Sequence, residues 1–266
     1  MIQNFCEQAW PNAPTRNKNL RVLAAVWRSW DEHQHKQKVG FDPFKPLVKA
    51  TSGKVSQDQK KRRSFTPAEF KHFMESISYE ANDEIRLIGM IMAYCGAPTG
   101  EAAGLVRGDV KLKTEPPYIV FRNNKHRLMG KPRLERAVPL IEPLRSHLKE
   151  YLEPKELGND DLIFLALGTG THSSGDRSKK LKKHIVNMRD HDNRQLVPYS
   201  LRHTFIDRAN NVGSPSGFSE YIVGHKTAGS SKIHANYGTG VPPARLVQHM
   251  EETWAVEDWG IFEEFD

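Results

Sequence analysis

Residues 197–205 read Val197-Pro198-Tyr199-Ser200-Leu201-Arg202-His203-Thr204-Phe205, and this stretch decides the fold. Pro198 suits a helix start, and the pattern continues as a helix through Asn211. Tyr199 and Arg202 are three positions apart, so their side chains share one face of that helix. On such a face the Arg202 guanidinium can fork onto two phosphate oxygens while the Tyr199 hydroxyl stands beside it. A Tyr-x-x-Arg pair alone means nothing. Its meaning depends on the segments around it and on their order.

Downstream, Ile222-Val223-Gly224-His225 closes a short helix that starts at Phe218, and Tyr237 is the first tyrosine after His225. Upstream, Tyr94-Cys95-Gly96-Ala97-Pro98-Thr99-Gly100-Glu101-Ala102-Ala103-Gly104-Leu105 ends one helix and starts the next, with Asp109 beyond. Between these segments, Tyr118–Phe121 and Ala137–Leu140 read as two strands of a hairpin with a long tip. The connection is basic: Arg122, Lys125, His126, Arg127, Lys131, Arg133 and Arg136. Taken one at a time, such cations read as solvated or as touching phosphate.

The remaining chain is mostly helical. Residues 1–19 are polar, with Pro11 and Pro14, and open no strong element. Leu20, Leu23, Ala24, Trp27 and Trp30 mark a helix that runs polar to Lys38 and stops at Gly40. Asp42-Pro43-Phe44 turns the chain, and a basic linker follows through Arg63. Thr66, Pro67 and Glu69 form a capping-box start, and Asn82–Cys95 reads as a helix buried nearly all round. Leu162–Phe164 is a short strand or apolar turn. Leu181, Ile185 and Met188 mark an amphipathic helix whose other face carries Lys179, Lys180, Lys182 and Lys183. Pro243 opens a last helix toward Trp254, before an acidic and aromatic tail. The fold class is mainly α with a small antiparallel β-hairpin or sheet, not a doubly wound nucleotide fold.

Composition narrows the function. The 266 residues carry a net charge of +7 and are 38% hydrophobic, which allows a sizeable core and excludes global disorder. The pI of about 9.3 fits a polyanionic partner. Two cysteines, Cys6 in a loose start and Cys95 in the core, give no disulfide scaffold. The N-terminus lacks a signal pattern and no apolar run spans a bilayer, so a cytoplasmic protein without membrane contact is expected. A P-loop within Gly168–Lys179, with Gly170 and Gly175 correctly spaced, fails because Asp176-Arg177 replaces Lys-Ser/Thr. His184, His191, His203 and His225 match no common zinc spacing, so no metal is expected. No aromatic-rich strand of the RNA-binding kind is present.

In order, the segments resemble the boxes of the tyrosine recombinases, the phage integrase family. The first box of that family has Gly, then Arg, then Glu three positions later, then Gly-Leu and an Asp. Glu101, Gly104, Leu105 and Asp109 fit, while the arginine position holds Pro98. Lys125 stands where the family's hairpin lysine protonates the leaving 5′ oxygen. The second box is His-x-x-Arg-His-Thr-Phe, here with Tyr199 for the leading histidine and Arg202 retained. His225 fits the Gly-His pair, and Tyr237 fits the nucleophile, after a slightly longer gap than usual.

The resemblance covers about residues 62–240. It implies a DNA breaking-rejoining fold over residues 65–266, a basic linker at 49–64, and a remnant of the helical, SAM-like core-binding domain at 1–48. It also implies double-stranded DNA as partner, contacted by Arg122, Arg127, Lys131, Arg133, Lys179, Lys180, Lys183 and His203. A homotetramer on DNA, joined through the C-terminal tail, is a further expectation. The implied reaction is attack of Tyr237 on a phosphodiester, giving a 3′-phosphotyrosine and a free 5′ hydroxyl. The bond energy stays in that intermediate, so no cofactor is expected. Pro98 removes a charge from the transition state, and impaired cleavage follows. The competing reading is a DNA-binding relic or regulator of a mobile element that has lost turnover.

Overall fold

The computed structural model describes residues 2–35, 42–47, 62–129, 135–167, 171–185, 195–212, 217–225 and 240–256. The chain falls into two compact units, Met1–Gln59 and Lys60–Asp266, so the division lies inside the basic stretch.

In the first unit, helix α1 spans Ile2–Ala9 and α2 spans Ala13–His35. Both begin in the segment expected to open no element. Pro14 lies in the first turn of α2, where a missing N–H costs nothing. Asn12 caps that turn: its Oδ1 accepts from the Thr15 amide at 3.4 Å and its carbonyl from Arg16 at 2.9 Å. Cys6, expected in a loose start, is buried with Leu20 and Ala24. Trp30 is half exposed and packs on Trp27, with ring centroids 5.3 Å apart. Asp42 makes the expected turn by accepting the amides of Phe44 at 2.9 Å and Lys45 at 3.1 Å.

The second unit is organised around one buried helix. Helix α3 spans Pro67–Ser78 and carries the full Thr66/Glu69 capping box. Helix α4, Asp83–Cys95, is capped by the Asn82 side chain on the Ile85 amide at 3.0 Å. From Leu87 to Cys95 every residue of α4 is buried, because neighbours surround it. These are α3, α5 (Thr99–Ala103), α6 (Leu144–Leu152), α7 (Thr171–Lys182) and α8 (Ser200–Asn210). Burial raises the Cys95 thiol to about 12, so it is a core residue and not a nucleophile.

A three-stranded antiparallel sheet, β1 (Val110–Lys111), β2 (Tyr118–Phe121) and β3 (Arg136–Pro139), lies in that order. Val110 pairs with Ile119, and Ile119 with Val138, which sets these three side chains into the core. The two-residue β1 is too short to leave a periodic signal. Helix α9 (Phe218–Val223) and helix α10 (Pro243–Ala255) complete the unit. Arg208 fixes the end of α10 by donating to the carbonyls of Thr253 at 3.0 Å and Trp254 at 2.8 Å. Its guanidinium lies 4.4 Å from the Trp254 ring and 5.3 Å from Phe70, and burial pushes its pKa down to about 10.

The helix expected around Leu181, Ile185 and Met188 starts and ends earlier than its apolar spacing implies. It turns off after Lys182, where His184 bonds Ser76 Oγ at 2.9 Å and Glu80 at 2.9 Å. Met188 lies outside the described residues. No described helix is long and apolar enough to cross a membrane.

Candidate active site

The site is assembled where α4 ends. Gly96 closes α4 in the left-handed region, at φ 59°. A Cβ there would lie 2.8 Å from Phe205 and 2.9 Å from Val223, so the glycine lets α8 and α9 close over the turn. Pro98 follows, buried, and its carbonyl accepts the amides of Glu101 at 2.9 Å and Ala102 at 3.0 Å. It thus starts α5 as a cap, with no charge and no side-chain donor where the resemblance expects arginine. Arg107, the nearest cation downstream in sequence, bonds the Val110 carbonyl at 3.1 Å.

Arg202 ties the second segment to the first. It is almost fully buried in α8, and its Nη1 donates to the Gly96 carbonyl at 2.7 Å. Tyr199 sits just ahead of α8, its ring edge-on to His203 at 5.2 Å and under the Arg62 guanidinium at 5.9 Å. His203 is held below the ordinary histidine value chiefly by burial, with Asp207 opposing and Arg202 and Arg62 adding to the shift. The incoming chain is pinned to the same helix: Phe65 donates its amide to Thr204 Oγ1 at 2.8 Å, and Ser64 donates to Asp207.

Gly224, at φ 70°, ends α9 and turns His225 outward, where it is exposed. A Cβ on Gly224 would meet Arg136 Nη1 at 2.8 Å. Arg136 was expected among the hairpin-tip cations. The structure instead buries it completely at the start of β3. Nε donates to the Ile222 carbonyl at 2.5 Å, Nη2 to Glu101 Oε2 at 2.7 Å, and the guanidinium lies 4.6 Å from the Phe121 ring. Arg136 therefore binds α5, α9 and β3 together at the centre of the site.

After β2 the chain makes a tight turn at Asn124–Arg127. Asn124 and Arg127 exchange backbone hydrogen bonds of 2.9 and 3.2 Å, leaving Lys125 exposed between them. The resemblance implies Arg127 as a DNA contact, whereas the structure buries its side chain. Its guanidinium donates to the carbonyls of Glu101 and, at 2.6 and 3.2 Å, Arg122, with Asp109 3.7 Å away. Burial lowers its pKa, and the Asp109 charge partly offsets this. Asp109 is fully buried, accepts Arg122 Nε at 2.7 Å, and with the Gly104 carbonyl receives the Asn124 amide group at 3.3 and 2.9 Å. The Lys125 turn is thus fastened to the same α5 segment that follows Pro98.

Arg127→Met should lower stability by about 1–3 kcal/mol, the cost of orphaned buried acceptors. Lys179→Ala or Lys183→Ala, at exposed positions, should leave the melting temperature alone. Melting curves check both.

Lys179, Lys180 and Lys183 line an open cavity of about 400 Å³ with Ala166, Leu167 and Asp176. Tyr237, Lys131 and Arg133 lie outside the described residues. The structure thus brings Pro98, Glu101, Arg202, Gly224 and Arg136 to one centre, with Lys125 held from the α5 side. Sequence reading missed the inward roles of Arg136 and Arg127, since a cation in a basic loop gives no sign of being buried.

Residues 63–237 match the phage integrase family. The chain belongs to the phage integrase family. Among curated relatives, tyrosine recombinase XerD of Yersinia pestis is 23% identical over 248 residues, covering 90% of this chain and 77% of that protein. XerD of Proteus mirabilis is 27% identical over 154 residues, 56% of this chain and about half (46%) of that relative's length. Among solved structures, XerH bound to a palindromic difH substrate aligns with TM-score 0.53 at 21% identity, covering 96% of this chain and 71% of that one. A lambda integrase dimer bound to a COC′ core site aligns with TM-score 0.54 at 15% identity, covering 85% and 77%. These alignments show that this chain has the integrase fold.

Proposed function

We propose that this phage integrase family chain binds double-stranded DNA as a site-specific recombinase whose strand-cleavage step is impaired by Pro98. The observation that carries the reading is Arg202, buried beside the Pro98 turn and held on the Gly96 carbonyl at 2.7 Å. A preorganised guanidinium of this kind stabilises charge on non-bridging phosphate oxygens. Tyr237 attacks the phosphorus and releases its hydroxyl proton to water, the P–O5′ bond breaks, and Lys125 gives its proton to the leaving 5′ oxygen. His225 donates beside Arg202, and Tyr199 offers its hydroxyl from the same side. Rejoining reverses the step: a 5′ hydroxyl attacks the phosphotyrosine. The lysines at 179, 180 and 183, with Arg122, hold flanking phosphates. Self-association on DNA through the tail, and a place of work in the cytoplasm, belong to the same reading.

A second reading, a DNA-binding relic or regulator without turnover, is favoured by the buried proline itself. Both readings require duplex binding that weakens steeply with salt. Electrophoretic titration of a random-sequence duplex from 50 to 200 mM salt is expected to show a linear log–log loss of affinity. Binding indifferent to salt, or no binding, overturns both. Light scattering of the bound complex, with residues 255–266 present or deleted, tests the tail's part in self-association.

A further inference from the structure

The turn that carries Lys125 also presents an apolar side chain. Leu128 is 85% exposed. A lone exposed leucine needs no explanation on most surfaces. Here the backbone on both sides of it is fixed. The Met129 amide donates to Asn123 Oδ1 at 2.8 Å, the Arg127 amide to the Asn124 carbonyl at 3.2 Å, and the His126 amide to Asn124 Oδ1 at 3.0 Å. The Arg127 guanidinium anchors the turn from below, as described above. Exposed Lys125 and half-exposed Arg122 stand nearby in the same loop. An apolar knob on a fixed base with cations beside it has the composition of a side chain that enters the minor groove and unstacks a base step, while the cations hold the phosphates.

We infer that Leu128 is a DNA wedge, inserted between base pairs beside the phosphate that Lys125 serves. The inference rests on the DNA-binding reading and adds a specificity determinant to it. Leu128 is three residues past Lys125, so their Cα atoms lie at most about 10 Å apart. With the reach of both side chains added, and at a rise of about 3.4 Å per base pair, the wedged step falls within about six base pairs of that phosphate. Pyrimidine–purine steps unstack most easily. The wedge therefore gives a preference for TA or CA steps at one position with no hydrogen bond to a base.

The test uses the full chain and a duplex that it selects from a random pool, with 2-aminopurine walked along one strand. Wild type is expected to raise the fluorescence severalfold at one step and to prefer pyrimidine–purine there by about tenfold. Leu128→Ser loses both, Leu128→Met keeps both, and neither changes the melting temperature. Binding without a fluorescence rise, or a rise that survives in Leu128→Ser, overturns the wedge and leaves the DNA reading standing. A Leu128→Ser variant with a lower melting temperature assigns the side chain to packing and also overturns the wedge. Failure of wild type to bind any duplex removes the DNA reading and the wedge together.

Discussion

Pro98→Arg should raise the rate of covalent protein–DNA adduct formation by at least about a hundredfold, the scale for restoring one preorganised charge at a transition state. The backbone at 98 suits arginine. Pro98 has φ −65° and ψ 153°, which any residue adopts, and its contribution to α5 runs through its carbonyl. Arg202 already stands on this turn through Gly96, so a second guanidinium at 98 enters next to the first. Arginine at 98 would be brought to a buried position, and Glu101, three residues on, is the nearby carboxylate in sequence. Pro98→Lys controls for charge without the fork and should recover less. Melting curves separate a folded variant that gains nothing from one that is unfolded. The rate is read from a denaturing gel on a nicked duplex.

The second large effect is on stability. Arg136→Met should destabilise the unit by about 3–5 kcal/mol, because it leaves Glu101 charged and buried. Arg136 and Glu101 are both nearly or wholly inaccessible, and their contact is 2.7 Å. The same substitution also strands the Ile222 carbonyl, which accepts Arg136 Nε at 2.5 Å. At roughly 2–4 °C per kcal/mol, the melting temperature should fall by on the order of 10 °C. The double variant Arg136→Met with Glu101→Leu should recover part of that loss, since a buried ion pair and an apolar pair of similar volume are near balance. A double variant as unstable as the single one would contradict this assignment, and so would a single variant that melts with wild type.

Where the sequence states its physics locally, the fold was legible. Thr66 with Glu69, the αL glycines at 96 and 224, and the apolar run of α4 each carry their own signal, and the structure shows each in place. Elements without such a signal were misread. Pro14 looks like a breaker yet sits in the first turn of α2, and β1 is two residues long. Ile185 continued an apolar spacing past the point where His184 is drawn to Glu80 and α7 ends. At the candidate site, the order of the boxes pointed to Pro98 and Arg202, whose segments meet at the Gly96 carbonyl. The directions of Arg127 and Arg136 were not legible. Both depend on acceptors far along the chain, at Glu101 and Ile222, and a loop sequence does not reveal which of its cations turn inward.

The most direct measurement is covalent trapping on one nicked duplex by three chains: unmodified, Pro98→Arg, and Pro98→Arg combined with Tyr237→Phe. Little or no adduct is expected from the first, a clear adduct from the second, and none from the third. Robust adduct from the unmodified chain, or adduct that persists after Tyr237→Phe, would contradict the roles given to Pro98 and Tyr237.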